Sequence, residues 1–377
     1  MQRTQYRSDE KKMSVTLTGL TWDDKRGGGP LQTIAEAFAN VSGVSVELKW
    51  DVQPLSGFES TPLAETAGRY DLLIMDHPHV AAAARSHLLH PIDELEGEYV
   101  GRSLESYQFQ GRQWAVPIDA ACQVAVYRPM KDFEAPSLWS DVLKLKRRGT
   151  RVALPLAGVH SLLALLTLTA SFGESVDGPI NWGKSKAVRS SATLLRQLCE
   201  GDSRVGLDWS PIDAHRSLAN DDCDYVPLAF GYSHWQDQGV RFATPPAWEA
   251  DRAPRTVLGG AGLAVSAASD HPTLATQFVR FFGSAYVQRD LCAMHGGQPA
   301  HTDAWDALAA DCFFGTTRST IENAFIRPQR EDWNELQIAG GNLIEQWLRT
   351  DEADPTQLLS RLDECWNDSI ATVYGIS

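Results

Sequence analysis

Residues Thr256–His301 read TVLGGAGLAVSAASDHPTLATQFVRFFGSAYVQRDLCAMHGGQPAH. An apolar segment runs into Gly259, Gly260 and Gly262, and a second apolar segment follows them. His271-Pro272 then opens a stretch whose apolar residues recur at helical spacing. The expected order is a buried strand, a tight glycine turn, a second strand, a helix, a short break, another helix and a stop at the glycines and proline of 296–299. Such an order suits a chain returning from a second lobe into a first. The architecture it implies is α/β, with two lobes and a ligand cleft between them. The small residues 259–262 would let backbone approach the ligand.

Outward from this stretch the pattern is that of parallel α/β units. Val15–Trp22 alternates as a first strand, 23–30 is a glycine-rich loop, 31–43 carries a helical apolar stripe and Val44–Trp50 is a second strand. Residues 58–68 read as a helix. Asp71–Val80 reads as a continuous apolar strand that ends in a polar loop, as in the centre of a parallel sheet. A turn is expected at Gln110-Gly111, followed by strands QWAVPI and CQVAVYRPM crossing to the second lobe. RVALPL (151–156) reads as a further strand and Ser161–Phe172 as a buried helix. Beyond Asp303 the chain is mostly helical. The expected division is an N-terminal lobe of 13–118 plus 256–310, a C-terminal lobe of 119–255 plus 311–377, and a disordered tail at 1–12.

The 377 residues carry a net charge of −14 and are 43% hydrophobic and 22% charged. These are globular proportions, and the acidity argues against a nucleic-acid partner, which needs a basic surface. The six cysteines show no metal-type spacing. Buried thiols are expected, with disulfides left open. No apolar run reaches the roughly 18 residues that span a bilayer, so no membrane insertion is expected. MQRTQYRSDEKKMSVTL has no apolar leader core. The expected location is cytoplasmic, or periplasmic or extracellular if a native leader precedes the chain.

Four segments in sequence carry a family likeness: RYDLLIMD, LHPIDELE, GRQWAVPIDAACQVAVYRPM and GGAGLAVSAASDHPTLATQFVRFFGSAYVQRDLCAMHGGQPA. Together they resemble extracellular solute-binding proteins of family 1, the sugar-binding class of ABC transporters. The resemblance implies a type II periplasmic-binding-protein fold with each lobe a mostly parallel sheet flanked by helices. It also implies a monomer that clamps a small polar ligand and an ABC permease as partner. The chain departs from the family pattern in its visible N-terminus, in TWDDKRGGGP, and in DHPH after the third strand.

In open α/β sheets ligands lie at the carboxyl ends of strands. That rule selects Trp22, Asp23 and Asp24 after the first strand, Asp76 and His77 after the third, and Asp119 at the crossover. In the second lobe it selects His160, Ser161, Tyr232 and Trp235. Gly260 at the return crossing and Glu59 on the helix at 58–68 complete the expected ligand-binding set. Carboxylates and imidazoles suit vicinal hydroxyls, and indole faces suit sugar C–H surfaces. Glycines 27–29 with Arg26 could hold an anion at a helix start. Asp76-His77-Pro78-His79 has metal-donor types, but histidines two apart on an extended chain face opposite ways. No metal and no cofactor are expected.

Two functional readings stand at this point. The first is a solute-binding protein for a sugar, polyol or sugar acid. The alternative is a cytosolic lyase or hydrolase on the same fold, with Asp23, Asp76, His77 and Asp119 as the acid and base groups.

Overall fold

A computed structural model describes residues 14–374 apart from 93, 94 and 132, and excludes the side chains of 56, 59, 60 and 367–374. The expected tail at 1–12 and the Glu59 side chain lie outside the described residues.

Strands β1 (Ser14–Trp22) and β2 (Ser45–Gln53) pair in parallel along their whole length. Between them lie α1 (Lys25–Gly28) and α2 (Leu31–Val41), whose Leu31, Ile34, Ala35 and Phe38 face the core. The helix expected over 58–68 is instead α3 (Leu55–Ser60) followed by two 3-10 turns, Leu63–Glu65 and Ala67–Arg69. Pro62 lies between them and has no N–H to continue the ladder. The apolar run 71–80 also divides. β3 (Leu72–Met75) ends at Asp76, which caps the turn His77–His79, and α4 (Val80–Arg85) follows. Pro78 sits in that turn, where its missing N–H costs nothing.

After β4 (Leu89–His90), β5 (Gln108–Phe109) and β6 (Arg112–Gln113) form a hairpin. Gln110 and Gly111 both take positive φ there, as a two-residue hairpin turn requires. The two strands expected at the crossover are one, β7 (Val116–Tyr127), buried along nearly its whole length. The second lobe then contributes α5 (Trp139–Arg147), α6 (Val159–Phe172), α7 (Lys186–Cys199), α8 (Pro211–Ala219), β8 (Tyr225–Phe230) and β9 (Arg241–Ala243). Residues 151–156 meet β8 through a single parallel bridge, Val152 to Tyr225, rather than as a strand.

The return passage β10 (Leu258–Ser266) is likewise one strand. Gly259, Gly260 and Gly262 lie within it, and a register shift falls between Ala261 and Gly262. The expected turn is therefore a bulge. The chain continues through α9 (Pro272–Gly283), a π-helical turn at Val287–Cys292, α10 (Thr302–Ala307), α11 (Cys312–Glu322), α12 (Trp333–Arg349) and α13 (Thr356–Tyr374).

The sheet order is β2-β1-β3-β10-β7-β8, with β4 also on β10 and β9 also on β7. β1, β2, β3, β4 and the first half of β7 all point one way, and only β10 runs against them. In the second lobe β8 and β9 run alike and β7 opposes them. The first lobe thus has a mostly parallel sheet with one opposed strand, and in the second the opposed strand lies between two that run alike, because β7 pairs with β10 through 116–122 and with β8 and β9 through 123–127. A third pass, near Phe325, hydrogen-bonds Thr256 and Leu258.

The first lobe's core joins Leu17, Ile34, Phe38, Leu72, Leu263, Phe278 and Phe282. The second is built around α6, which is uncharged with apolar residues on all its faces and is buried on every side, as such a helix must be. α7, α12 and α13 enclose it, with Trp182, Trp333 and Trp366 in edge-to-face contact. All six cysteines are free thiols. No helix among the described residues is long and apolar enough to cross a membrane.

Candidate functional site

The parallel register of β1 and β2 sets one wall of a cleft. Trp22 lies opposite Gln53, and the Asp23 N–H donates to the Gln53 carbonyl at 2.8 Å. Asp23 is thereby held beside Pro54 and Leu55, which begin α3. The facing wall comes from three helices of the second lobe. Gly158, at φ +56, turns the chain into α6 and presents Val159 and His160. Ser210 caps α8 and presents Ile212, Asp213 and Arg216. Ile338 and Asn342, four apart on one face of α12, close the end. The open cavity between these walls measures about 630 Å³, within the range of about 300–1,000 Å³ common for small-molecule sites.

Of the expected residues whose side chains are described, Asp23 and His160 line this cavity and the others do not. Trp22 is fully buried against Phe58 and over Gly27. Asp24 caps α1 by accepting the Arg26 N–H at 2.8 Å and lies 3.9 Å from His234. Ser161 is buried and donates to the carbonyls of Gly158 and Gly341. Tyr232 and Trp235 pack on His215. Gly260, at φ +107, lies so close to Asp119 that a Cβ would collide with its carbonyl oxygen. The space beside Gly260 is thus filled by backbone. Gly259 and Gly262 similarly leave room for the rings of Phe230 and Tyr107.

The expected acidic residues belong instead to two buried ion pairs beside the cleft. Arg26 reaches from α1 to Asp119, Nε to Oδ1 2.9 Å, and its Nη1 donates to the Gly231 carbonyl at 2.9 Å. Its guanidinium stacks 4.2 Å above the Tyr232 ring. Neither Asp119 oxygen receives an aligned hydrogen bond. Burial pushes the Asp119 carboxyl up to about 7, with Arg26 pulling it down and Asp24 and Asp76 adding to the rise. In the second pair Arg327, from the third crossing segment, donates to Asp76 at 2.6 Å. Burial alone would raise Asp76, but Arg327 and His77 hold it well below the usual carboxylate range. Burial and Arg327 keep His77 neutral, down to about 4.

The anion site suggested at glycines 27–29 does not form around Arg26, whose charge is taken by Asp119. The N–H groups of Gly27 and Gly28 donate to the Asp24 carbonyl and that of Gly29 to Lys25.

Two glutamines in the 256–301 stretch hold the crossing together. Gln298 donates to the carbonyls of Ala120 and Gly231 and accepts from the Ser233 N–H. Gln288 donates to Pro117 and accepts from Ala300 and His301. Neither carried a signal beyond its place in the quoted segment. Pro54, Leu55, Ser210, Ile212, Asp213, Arg216, Ile338 and Asn342 were also missed as wall residues. Only the α6 and α8 starts were within reach of the strand-end reasoning.

A family model for bacterial extracellular solute-binding proteins matches residues 33–311. The chain belongs to that family. Solved structures share its fold along nearly the whole chain. A maltose-bound MalE3 of T. maritima aligns with TM-score 0.81 at 18% identity, covering 95% of this chain and 100% of that one. A solute-binding protein of Agrobacterium radiobacter K84 in complex with ribitol aligns with TM-score 0.77 at 20% identity, covering 94% and 98%. The maltotriose-bound binding protein of Thermus thermophilus aligns with TM-score 0.76 at 16% identity, covering 94% and 100%. No curated protein is similar enough in sequence to count as a relative.

Proposed function

We propose that this solute-binding protein holds a small polyhydroxylated ligand, a sugar or polyol, between its lobes and delivers it to an ABC-type permease. The observation that carries this reading is the cavity of about 630 Å³ walled by Asp23, Pro54 and Leu55 on one side and by α6, α8 and α12 on the other. A site completed by both lobes couples binding to hinge closure. Asp23, His160, Arg216 and Asn342 are the ligand contacts in this reading. The lobes comprise 13–118 with 256–310, and 119–255 with 311–377, and one chain suffices to build the site. The ligands named for the structural neighbours, maltose, maltotriose and ribitol, are polyhydroxylated. Membership of an extracellular family supports a place of action outside the cytoplasm, in place of the location expected from the first residues.

The enzyme reading gains no support, since Asp76, His77 and Asp119 are buried outside the cavity lining and paired among themselves and with arginines. A thermal-shift screen over sugars and polyols tests the binding reading. A ligand present at about 100 times its Kd adds about 2.7 kcal/mol to the folded state. Absence of any shift across the panel overturns it.

A further inference from the structure

We propose that the cleft selects a cationic ligand, a polyol carrying a protonated amine, and that Asp23 is the residue that selects it. This rests on the reading of the cleft as a polyol site and adds the sign of the ligand's charge.

Two helix starts open on the cavity, and helix starts attract anions through their unpaired N–H groups. Both are already occupied by carboxylates of this chain. At α6, Glu345 accepts from the Gly158 N–H at 3.0 Å. At α8, Asp213 accepts from the Ser210 N–H at 3.0 Å and from the Ser210 hydroxyl at 2.6 Å, and that hydroxyl accepts from the Asp213 N–H. Arg216, the one arginine or lysine on the wall among the described residues, is bound to Asp213 at 2.7 Å. What an acidic ligand would need has therefore been consumed inside the protein.

Asp23 differs from these groups. Its side chain is exposed on the cavity wall and takes no ion pair or hydrogen bond from the described residues. The cleft thus presents one uncompensated negative charge. The remaining wall at Leu55, Val159, Ile212 and Ile338 is aliphatic, and among the described residues no Trp, Tyr or Phe lines the cavity. Without such a ring for a sugar face to stack on, ligand charge carries more of the discrimination.

The test is calorimetric titration of the full chain with hexosamines, hexoses and hexuronates of matched configuration, at low salt and in 0.5 M NaCl, on the wild type and on Asp23→Asn. The expected order is amine tighter than neutral sugar by about tenfold and neutral tighter than acid, with the preference shrinking at high salt. Asp23→Asn should lose the preference for the amine, so that hexosamine and hexose then bind with similar affinity whatever the loss common to both. Its exposed position leaves the fold intact. If hexose or hexuronate binds as well as hexosamine, charge selection is overturned and the polyol reading survives. If ethanolamine or putrescine binds through Asp23 and no sugar does, the polyol reading falls and charge selection stands. If no probe binds, both are overturned.

Discussion

Arg26 from the first lobe and Asp119 on the strand shared by both lobes form a buried ion pair at 2.9 Å, and the same guanidinium donates to Gly231 in the second lobe. One side chain therefore joins the loop after β1, the crossing strand and the loop after β8. Removing one partner of a buried pair strands the other charge. Arg26→Met is expected to lower the unfolding free energy by about 2–4 kcal/mol in urea titrations. Adding Asp119→Asn to it should recover more than half of the loss. Full additivity of the two changes would show that the pair is not coupled.

The pH dependence at Asp119 has an unusual sign for a carboxylate. Its folded value, about 7, exceeds the ordinary value of 3.8. The folded state therefore binds more protons between about pH 4 and 7, and this group's contribution to stability falls as pH rises through that window. His77 and His215, both held down to about 4 by burial first, act oppositely: their contribution is full above about 6.5 and is lost as pH falls through 4. In Asp119→Asn the slope of stability against pH between 4 and 7 should turn more positive, amounting to roughly 2–4 kcal/mol across the window. An unchanged slope by denaturant titration at stepped pH would refute this.

Arg327→Met removes the cation that keeps Asp76 ionised in a buried site. A loss of about 3 kcal/mol is expected at pH 7. Asp76 has a depressed folded value, so its contribution is present above about 4 and disappears below it. The gap between wild type and variant should accordingly begin to narrow as pH falls below 4, where the unfolded wild-type chain takes up a proton that folded Asp76, still paired with Arg327, does not. A gap constant from pH 7 to 3 would assign the loss to packing.

Gly260 combines φ +107 with a Cβ direction that ends on the Asp119 carbonyl. Gly260→Ala should cost about 2–3 kcal/mol, from left-handed strain plus displacement of β7. Gly111→Ala shares the positive φ but meets open space, and should cost about 1 kcal/mol. The comparison of melting temperatures separates collision from strain.

Much of the fold was legible because burial writes itself into composition. The alternation in 15–22, the stripe at Leu31, Ile34 and Phe38, and the leucine-rich, uncharged run of α6 each reflect the face an element hides. The single strands β7 and β10 were harder to see. Pro117, Asp119 and the glycines at 259–262 look like breaks, yet each is accommodated by a neighbour, a bulge or an ion pair. Of the residues named from the sequence whose side chains are described, Asp23 and His160 are the two that line the cavity. Strand-end reasoning finds loops near a ligand, but it does not distinguish a polar side chain facing the cavity from one paired inward.

The sequence by itself determined the family, the two-lobed α/β architecture and the 256–301 passage as a lobe-to-lobe crossing, because local pattern and chain order suffice for those. Only the tertiary structure decided which charges are spent. Arg26, Arg327 and Glu345 lie far along the chain from Asp119, Asp76 and Gly158, and no local spacing relates them. Folding brings these groups together, and burial makes pairing obligatory. Asp23, by contrast, stays exposed on the cavity wall with no side-chain partner among the described residues.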